Sequence, residues 1–332
     1  MTERLRDRGE RDLVEAIRRL VPRGPGVVLG VGDDAAVLAP IGAPLLVTTD
    51  AMVEGVHFRS RWLSPRELGR RAFEVSASDV AAMGGRVVAA VLALAAPPML
   101  PVASLRAIVA GVRDGARRAG GALVGGNLAS AGELSLTVTV VGAVHDGPVT
   151  RAGARPGDRL FVTGSLGGAA FGLRSLLAAR SIAAAAVGRW KRPRARLSAG
   201  AALARRGVAA AMIDLSDGLL IDTDRLCAAS GVGARIDAGR LPLARALRHL
   251  APADARRVAV GGGEDYELLF AVRPNRLAAL RAVRAALGCA VTEIGEVVRG
   301  RDVTIVADGR VLNPPAVIGH EHFAPRRRAG RR

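Results

Sequence analysis

The chain has 332 residues, half of them hydrophobic, and a formal net charge of +18. That length suits two domains of ordinary size, each able to bury a core. Only Lys191 among the 48 basic residues is a lysine, the arginines are spread along the whole chain, and aromatics make up 3%, which argues against a dedicated base-stacking nucleic-acid surface.

The N-terminal stretch MTERLRDRGERDL is charged and carries no apolar signal-peptide core. The longest apolar run, Val87 to Leu100, contains two prolines and is too short to span a bilayer, so a cytoplasmic protein with no membrane partner is expected. Short strands are predicted at Val27–Leu29 and Leu45–Thr49. Between them Gly32-Asp33-Asp34 forms a turn. Its two carboxylates either hold their own backbone or, since they repel each other, share a cation. Thr48-Thr49-Asp50 ends the second strand with two hydroxyls and a carboxylate, the hard oxygen donors that Mg²⁺ accepts. His57 follows; a lone histidine is more often structural than a ligand.

A helix over Ser64–Met83 is well marked. Ser64 suits the N-cap, Pro65 the first helical position and Glu67 the capping box, while Gly84-Gly85 ends it. Leu68, Ala72 and Val75 form an apolar stripe that Asp79 continues. An ionised, unpaired carboxylate there costs about 3–5 kcal/mol. Asp79 is therefore read either as paired with an arginine or as a metal ligand. A strand at 87–95, a helix at Val102–Arg118 and a strand at 134–144 follow. In the last, Leu134, Leu136, Val138 and Val140 alternate with Ser135, Thr137 and Thr139, giving one buried and one polar face.

The turn-rich segment 149–158 is the predicted junction between a domain at 1–150 and one at 151–325. Past it, a strand at Arg159–Thr163 leads into Gly164-Ser165-Leu166-Gly167-Gly168. This loop either binds phosphate at a helix N-terminus or packs strand tightly on helix, and it matches no P-loop or dinucleotide fingerprint. Further helices are predicted near 195–206, 217–230 and 275–287, and strands at Ala234–Ile236, Tyr266–Val272 and Val291–Val298. Asp214, Ser216 and Asp217 precede one of these helices, where either Ser216 or Asp217 suits the cap, a reading that explains one acid well and the second poorly. Gly261-Gly262-Gly263 lets the backbone approach a ligand closely, with Glu264 at the rim, or is a flexible turn. Cys227 and Cys289 match no zinc or disulfide spacing. His320 and His322 are two possible ligands without partners, and residues 326–332 form a basic tail expected to be disordered. Strand and helix alternate in both halves, so the class is mixed α and β.

Taken in order, GVGDDAAVL, VTTDAMVEGVHF, SASDVAAMGG, SLTVTVVG, RAGARPGD, IDLSDGL, GGGEDYELLF and GHEHF resemble the thiamine-monophosphate kinase family. That family is part of the wider group of aminoimidazole ribonucleotide synthetase and selenophosphate synthetase. The resemblance spans residues 30 to 323. It implies an α+β fold in two domains: an N-terminal mixed sheet with helices forming the dimer interface and binding ATP and Mg²⁺, and a C-terminal α/β sandwich. The implied reaction is ATP-dependent phosphorylation of thiamine monophosphate by a homodimer, with several Mg²⁺ ions and no acid–base or covalent catalytic residue. Another ATP-dependent synthetase of the wider group, or a weakly active relative, stands as the alternative. The implied metal ligands are Asp34, Thr48, Thr49, Asp50, Asp79, Asp214 and Asp217, with Asn127 and Asp33 as further candidates. Gly126, Asn127, Arg151 and Ser216 are implied ATP contacts, and His57, Glu264 and Phe323 substrate contacts. One departure stands out: the family carries Asp where this chain has Asn127, which offers an oxygen but no charge.

Overall fold

The computed structural model describes residues 3–31, 35–178, 184–307 and 310–311. Asp33, Asp34, His320, His322, Phe323 and the basic tail lie outside the described residues.

The first half runs α1 (Glu10–Leu20), β1 (Val27–Leu29), β2 (Val37–Leu38), β3 (Leu45–Val53), α2 (Pro65–Ala82), β4 (Arg86–Ala96), α3 (Val102–Arg118), β5 (Ala122–Ser130) and β6 (Ser135–Ala143). Strands β3, β6, β4 and β5 form one sheet in that order, antiparallel except for the β4–β5 pair. Helices α2 and α3 cover one face. Leu136, Val138 and Val140 of β6 are fully buried beneath them, as the period-two pattern required. The two helices approach closely: a side chain at Gly69 would collide with the Ile108 carbonyl, and one at Gly111 with the Arg66 carbonyl. The other sheet face is open, with Val47 70% and Leu45 54% exposed.

The second half runs β7 (Arg159–Thr163), α4 (Gly168–Leu177), α5 (Ala184–Lys191), α6 (Leu197–Arg205), β8 (Ala209–Asp214), α7 (Leu219–Ser230), β9 (Gly233–Asp237), α8 (Pro252–Gly261), β10 (Leu268–Val272), α9 (Leu277–Val283), β11 (Val291–Val298), β12 (Val303–Ala307) and β13 (Arg310–Val311). Its seven strands lie in the order β13-β12-β9-β11-β7-β10-β8, with one apolar cluster on each face.

The α2 capping box forms as predicted, with Ser64 and Glu67 each satisfying the other's backbone N–H. The helix serves both halves. Its C-terminal Ala81 and Ala82 pack with Phe161, Leu203 and Met212 of the second half. Gly200 of α6 allows that contact, since any Cβ there would strike the Ala81 carbonyl. This shared packing brings the end of α2 beside the end of β8, and so Asp79 beside Asp214.

Sequence reasoning missed several elements. β5 carries Gly125-Gly126 in its middle, which reads as a turn, and β8 opens on three alanines with no strand preference. The strand predicted from Tyr266 begins two residues later, at Leu268, because Tyr266 has a left-handed backbone with φ +50°. Cys227 and Cys289 are unpaired, as their spacing suggested. No helix of the described residues is long and apolar enough to cross a membrane.

Candidate active site

A cleft of about 740 Å³ lies between α2, the β3 end and the loops that precede α7 and follow α8. Arg71, Val75 and Asp79 of α2 line it at spacings of four, so the helix forms its floor. From Arg71 to Asp79 that floor is eight residues, about 12 Å. The two ends differ chemically.

At the Asp79 end, Asp50 and Asp214 join it on the cleft wall. The Thr48 hydroxyl donates to Asp79 Oδ2 at 2.5 Å, and the Ser78 hydroxyl to Asp214 Oδ2 at 2.6 Å. Burial pushes the Asp214 carboxyl up to about 7, and the neighbouring Asp79 charge adds to the effect. Asp50 is pushed up to about 6, again by burial first and Asp79 second, with a Ser76 hydrogen bond opposing. Among the described residues no arginine or lysine forms an ion pair with Asp50, Asp79 or Asp214. The arginine-paired reading of Asp79 therefore finds no partner there.

These carboxylates suit Mg²⁺ chemically. No three acidic, histidine or cysteine side chains among the described residues close into a ready-made chelate. Mg²⁺ seldom asks for one: it takes one or two carboxylates and fills the rest with phosphate oxygens and water.

At the Arg71 end the wall carries Phe58, Trp62, Leu173 and Tyr266, with His57 and Glu264. The Val53 N–H donates to His57 Nδ1 at 3.1 Å. Glu264 has a left-handed backbone, φ +67°. Its carboxylate is gripped by the Arg71 guanidinium and by the Trp190 indole N–H, the latter at 2.6 Å.

The remaining predicted residues are distributed as follows. Ser216 and Asp217 line the cleft, and Asp217 is engaged by Arg225. Neither caps α7. Asp222, inside that helix, instead accepts the Asp217 and Gly218 N–H groups at 3.0 Å each. Thr49 pairs across strands with Thr139, Ala93 with Asn127, and both rows lie on the open sheet face, opposite Asp50. Gly126 is exposed on β5, and Arg151 is exposed beside Ser230, outside the cleft lining. The loop at Gly164–Gly168 does not present a helix N-terminus to a ligand. Asp265 occupies that position, accepting from the Gly167 and Ala169 N–H groups at 2.5 and 3.1 Å. Sequence reasoning overlooked Arg71, Trp190, Trp62 and Ser78; only the capped helix carrying Arg71 and Ser78 gave any signal for them.

The raised carboxyls make a pH prediction. A carboxyl whose folded value lies above its unfolded one stabilises the fold at low pH and loses that contribution as pH rises through the folded value. Asp50 and Asp214 thus weaken the Mg²⁺-free fold progressively from about pH 4 to about pH 7. Mg²⁺ must displace their protons, so its stabilising effect grows as pH rises through the folded values of about 6 and 7. The Mg²⁺-induced rise in thermal midpoint is expected to be larger at pH 8 than at pH 6, and Asp214→Asn should flatten the difference. An equal rise at both pH values would dissociate these carboxylates from the metal.

Comparison with known proteins gives the family and the fold. Residues 32–144 match the AIR synthase related protein N-terminal domain and residues 155–308 the corresponding C-terminal domain. The chain is 38% identical over 310 residues to thiamine-monophosphate kinase of Escherichia coli (strain K12), covering 90% of this chain and 93% of that one. The crystal structure of thiamine-monophosphate kinase from Stenotrophomonas maltophilia K279a superposes with a TM-score of 0.81 at 35% identity, covering 92% of this chain and 98% of that chain. AaThiL, solved with AMPPCP and TMP, superposes with a TM-score of 0.74 at 33% identity, covering 97% and 100%.

Proposed function

This chain belongs to the thiamine-monophosphate kinase family, and we propose that it is a cytoplasmic enzyme transferring the γ-phosphoryl group of ATP to thiamine monophosphate, giving thiamine diphosphate and ADP. The observation that carries the reading is the two-ended cleft. Carboxylates without a cationic partner stand at one end, and an apolar, aromatic wall with a fixed carboxylate at the other. An extended organic cation that ends in phosphate fits that polarity.

Asp50, Asp79 and Asp214 would hold the metal, with Asp34, Asp217 and Thr48 as further candidate ligands; the Thr49 hydroxyl, set against Thr139 on the opposite sheet face, is not among them. Thr48 and Ser78 aim two of the carboxylates. Bound Mg²⁺ ions supply positive charge where two phosphate groups must approach each other. The acceptor phosphate is largely ionised at neutral pH, with a second pKa of about 6. It needs no general base, and the chain offers positioning for direct in-line transfer. His57, Glu264 and Phe323 are assigned to the thiamine moiety, and Gly126, Asn127, Arg151 and Ser216 to ATP. The test is direct. Purified protein with ATP, Mg²⁺ and thiamine monophosphate is expected to form thiamine diphosphate and ADP in equal amounts. Free phosphate with no diphosphate product would point to a different member of the wider group.

The working unit is a homodimer, formed through the open face of the β3-β6-β4-β5 sheet. That face exposes Val47 and Leu45 and carries Asn127. The nucleotide would sit near the shared interface, which accounts for Gly126, Asn127 and Arg151 lying away from the cleft. An apolar sheet face this open is otherwise an association hazard. Val47→Asp is expected to convert the dimer to a monomer in light scattering and to lower turnover. A dimer that survives the substitution would place the interface elsewhere.

A further inference from the structure

We propose that Arg71 and Trp190 are positioning residues that set recognition of the organic end of the substrate by clamping the Glu264 carboxylate on the cleft wall. The inference rests on the cleft being a thiamine monophosphate site.

Three features converge on this one carboxylate. The first is Arg71 itself, a guanidinium only 1% exposed on the cleft floor. One terminal nitrogen donates to the Trp190 carbonyl and the other to Glu264. Its Cζ lies over the Trp190 ring, 4.3 Å from the ring centre. Among the described residues its Nε finds no hydrogen-bond acceptor. An apolar side chain would fill that position with no such penalty. The second is the backbone of Glu264, left-handed although the residue is not glycine. Such a conformation persists where the surroundings over-determine it. Here the Glu264 N–H donates to the Ser216 carbonyl at 2.7 Å while the side chain is held from both sides. The third is Trp190. Its indole N–H is spent on the second carboxylate oxygen, and its ring meets Trp62, also on the cleft wall, edge to face at 5.7 Å.

Arg71 and Trp190 together occupy one acceptor position on each oxygen of Glu264. An ionised carboxylate has about four. The positions left over belong to a side chain that lines the cleft. Because Arg71 offsets its charge, Glu264 acts there as a directional acceptor and not as a diffuse negative field. It selects a ligand that presents N–H donors, such as the amino group of an aminopyrimidine, and its aim depends on the two groups behind it.

The test compares Trp190→Phe, Arg71→Lys, Arg71→Met, Glu264→Gln and the pair Arg71→Met/Glu264→Gln. Binding of thiamine monophosphate and of ATP–Mg²⁺ is measured by calorimetry, alongside KM and kcat. Trp190→Phe keeps an aromatic ring beside Arg71 and removes the indole N–H together with the five-membered ring that carries it. It is expected to weaken thiamine monophosphate binding about tenfold, with ATP affinity and kcat within about twofold of wild type. Arg71→Lys, which keeps the charge and loses the fork, should behave alike. The double variant should bind thiamine monophosphate no more weakly than Glu264→Gln alone, because Arg71 acts through Glu264. Unchanged binding in Trp190→Phe, equal losses for both substrates, or additive effects in the double variant would overturn the clamp. Should the Arg71 variants fail to fold, Trp190→Phe with Trp190→Phe/Glu264→Gln decides the same question. A wild-type chain that binds thiamine monophosphate without turning it over sinks the proposed reaction and leaves the clamp to be judged on affinities. One that does not bind it overturns both.

Discussion

Asp79→Asn is expected to lower kcat/KM by at least about a thousandfold while leaving the fold intact. Asp79 is the charge that both neighbours register: it contributes to the raised Asp50 and Asp214 carboxyls. Replacing it with the isosteric amide removes one repulsive charge from a part-buried group of carboxylates that no described arginine offsets. The Mg²⁺-free variant should therefore melt at a higher temperature than wild type, even as the cation site is lost. Gain of stability with loss of function is what a site strained for ligand binding predicts. Circular dichroism, a melting curve in EDTA and the coupled assay check this together. Activity near wild type would remove Asp79 from the metal site. A lower Mg²⁺-free midpoint would mean its charge is balanced by something not seen among the described residues.

Asp79 was legible in the sequence because the helix beneath it is. Ser64, Pro65, Glu67 and the terminal glycines mark α2 to within a residue. An acid on such a helix, with two more acids at strand ends, is a local pattern. Arg71 was not legible, although it stands on the same helix. It is one arginine in a chain full of them, and its partners lie 119 and 193 residues away. Only tertiary packing brings them together. The segment GGGEDYELLF shows the same division within ten residues. Its glycines advertised a close backbone approach, and Gly263 would indeed strike the Ser216 carbonyl with any side chain. Its four polar residues gave no hint of having separate tasks. Glu264 faces the cleft, Asp265 caps α4, Tyr266 closes the wall and Glu267 is fully buried. Periodicity cannot sort them, because alternating left-handed residues break the strand repeat.

Glu267→Gln is expected to destabilise the fold by about 2–4 kcal/mol, the cost of leaving half-buried cations without their counter-charge, reduced from the fully buried case by their partial exposure. The Glu267 side chain is fully buried and accepts from Arg189, from both arms of Arg196 and from the Thr163 hydroxyl. Burial alone would raise its carboxyl. The Arg196 hydrogen bonds and the Arg196 and Arg189 charges outweigh that and hold it below the ordinary glutamate range. A depressed folded value stabilises the protein above the unfolded one, so this contribution is present at neutral pH and lost only as pH falls below about 4.5. Two half-buried arginines facing an amide would repel each other. Adding Arg196→Met should recover part of the loss, since a buried ion pair replaced on both sides costs less than one broken on one side. The consequence reaches the substrate site. Arg189 and Arg196 flank Trp190, so Glu267 anchors the segment that carries the indole, while the same loop three residues earlier carries the Glu264 it grips. Thermal melts of Glu267→Gln and of the double variant measure the first effect. Their KM for thiamine monophosphate, raised more than the KM for ATP, measures the second. A midpoint unchanged from wild type would show that Arg189 and Arg196 find other partners and that the anchor is not needed.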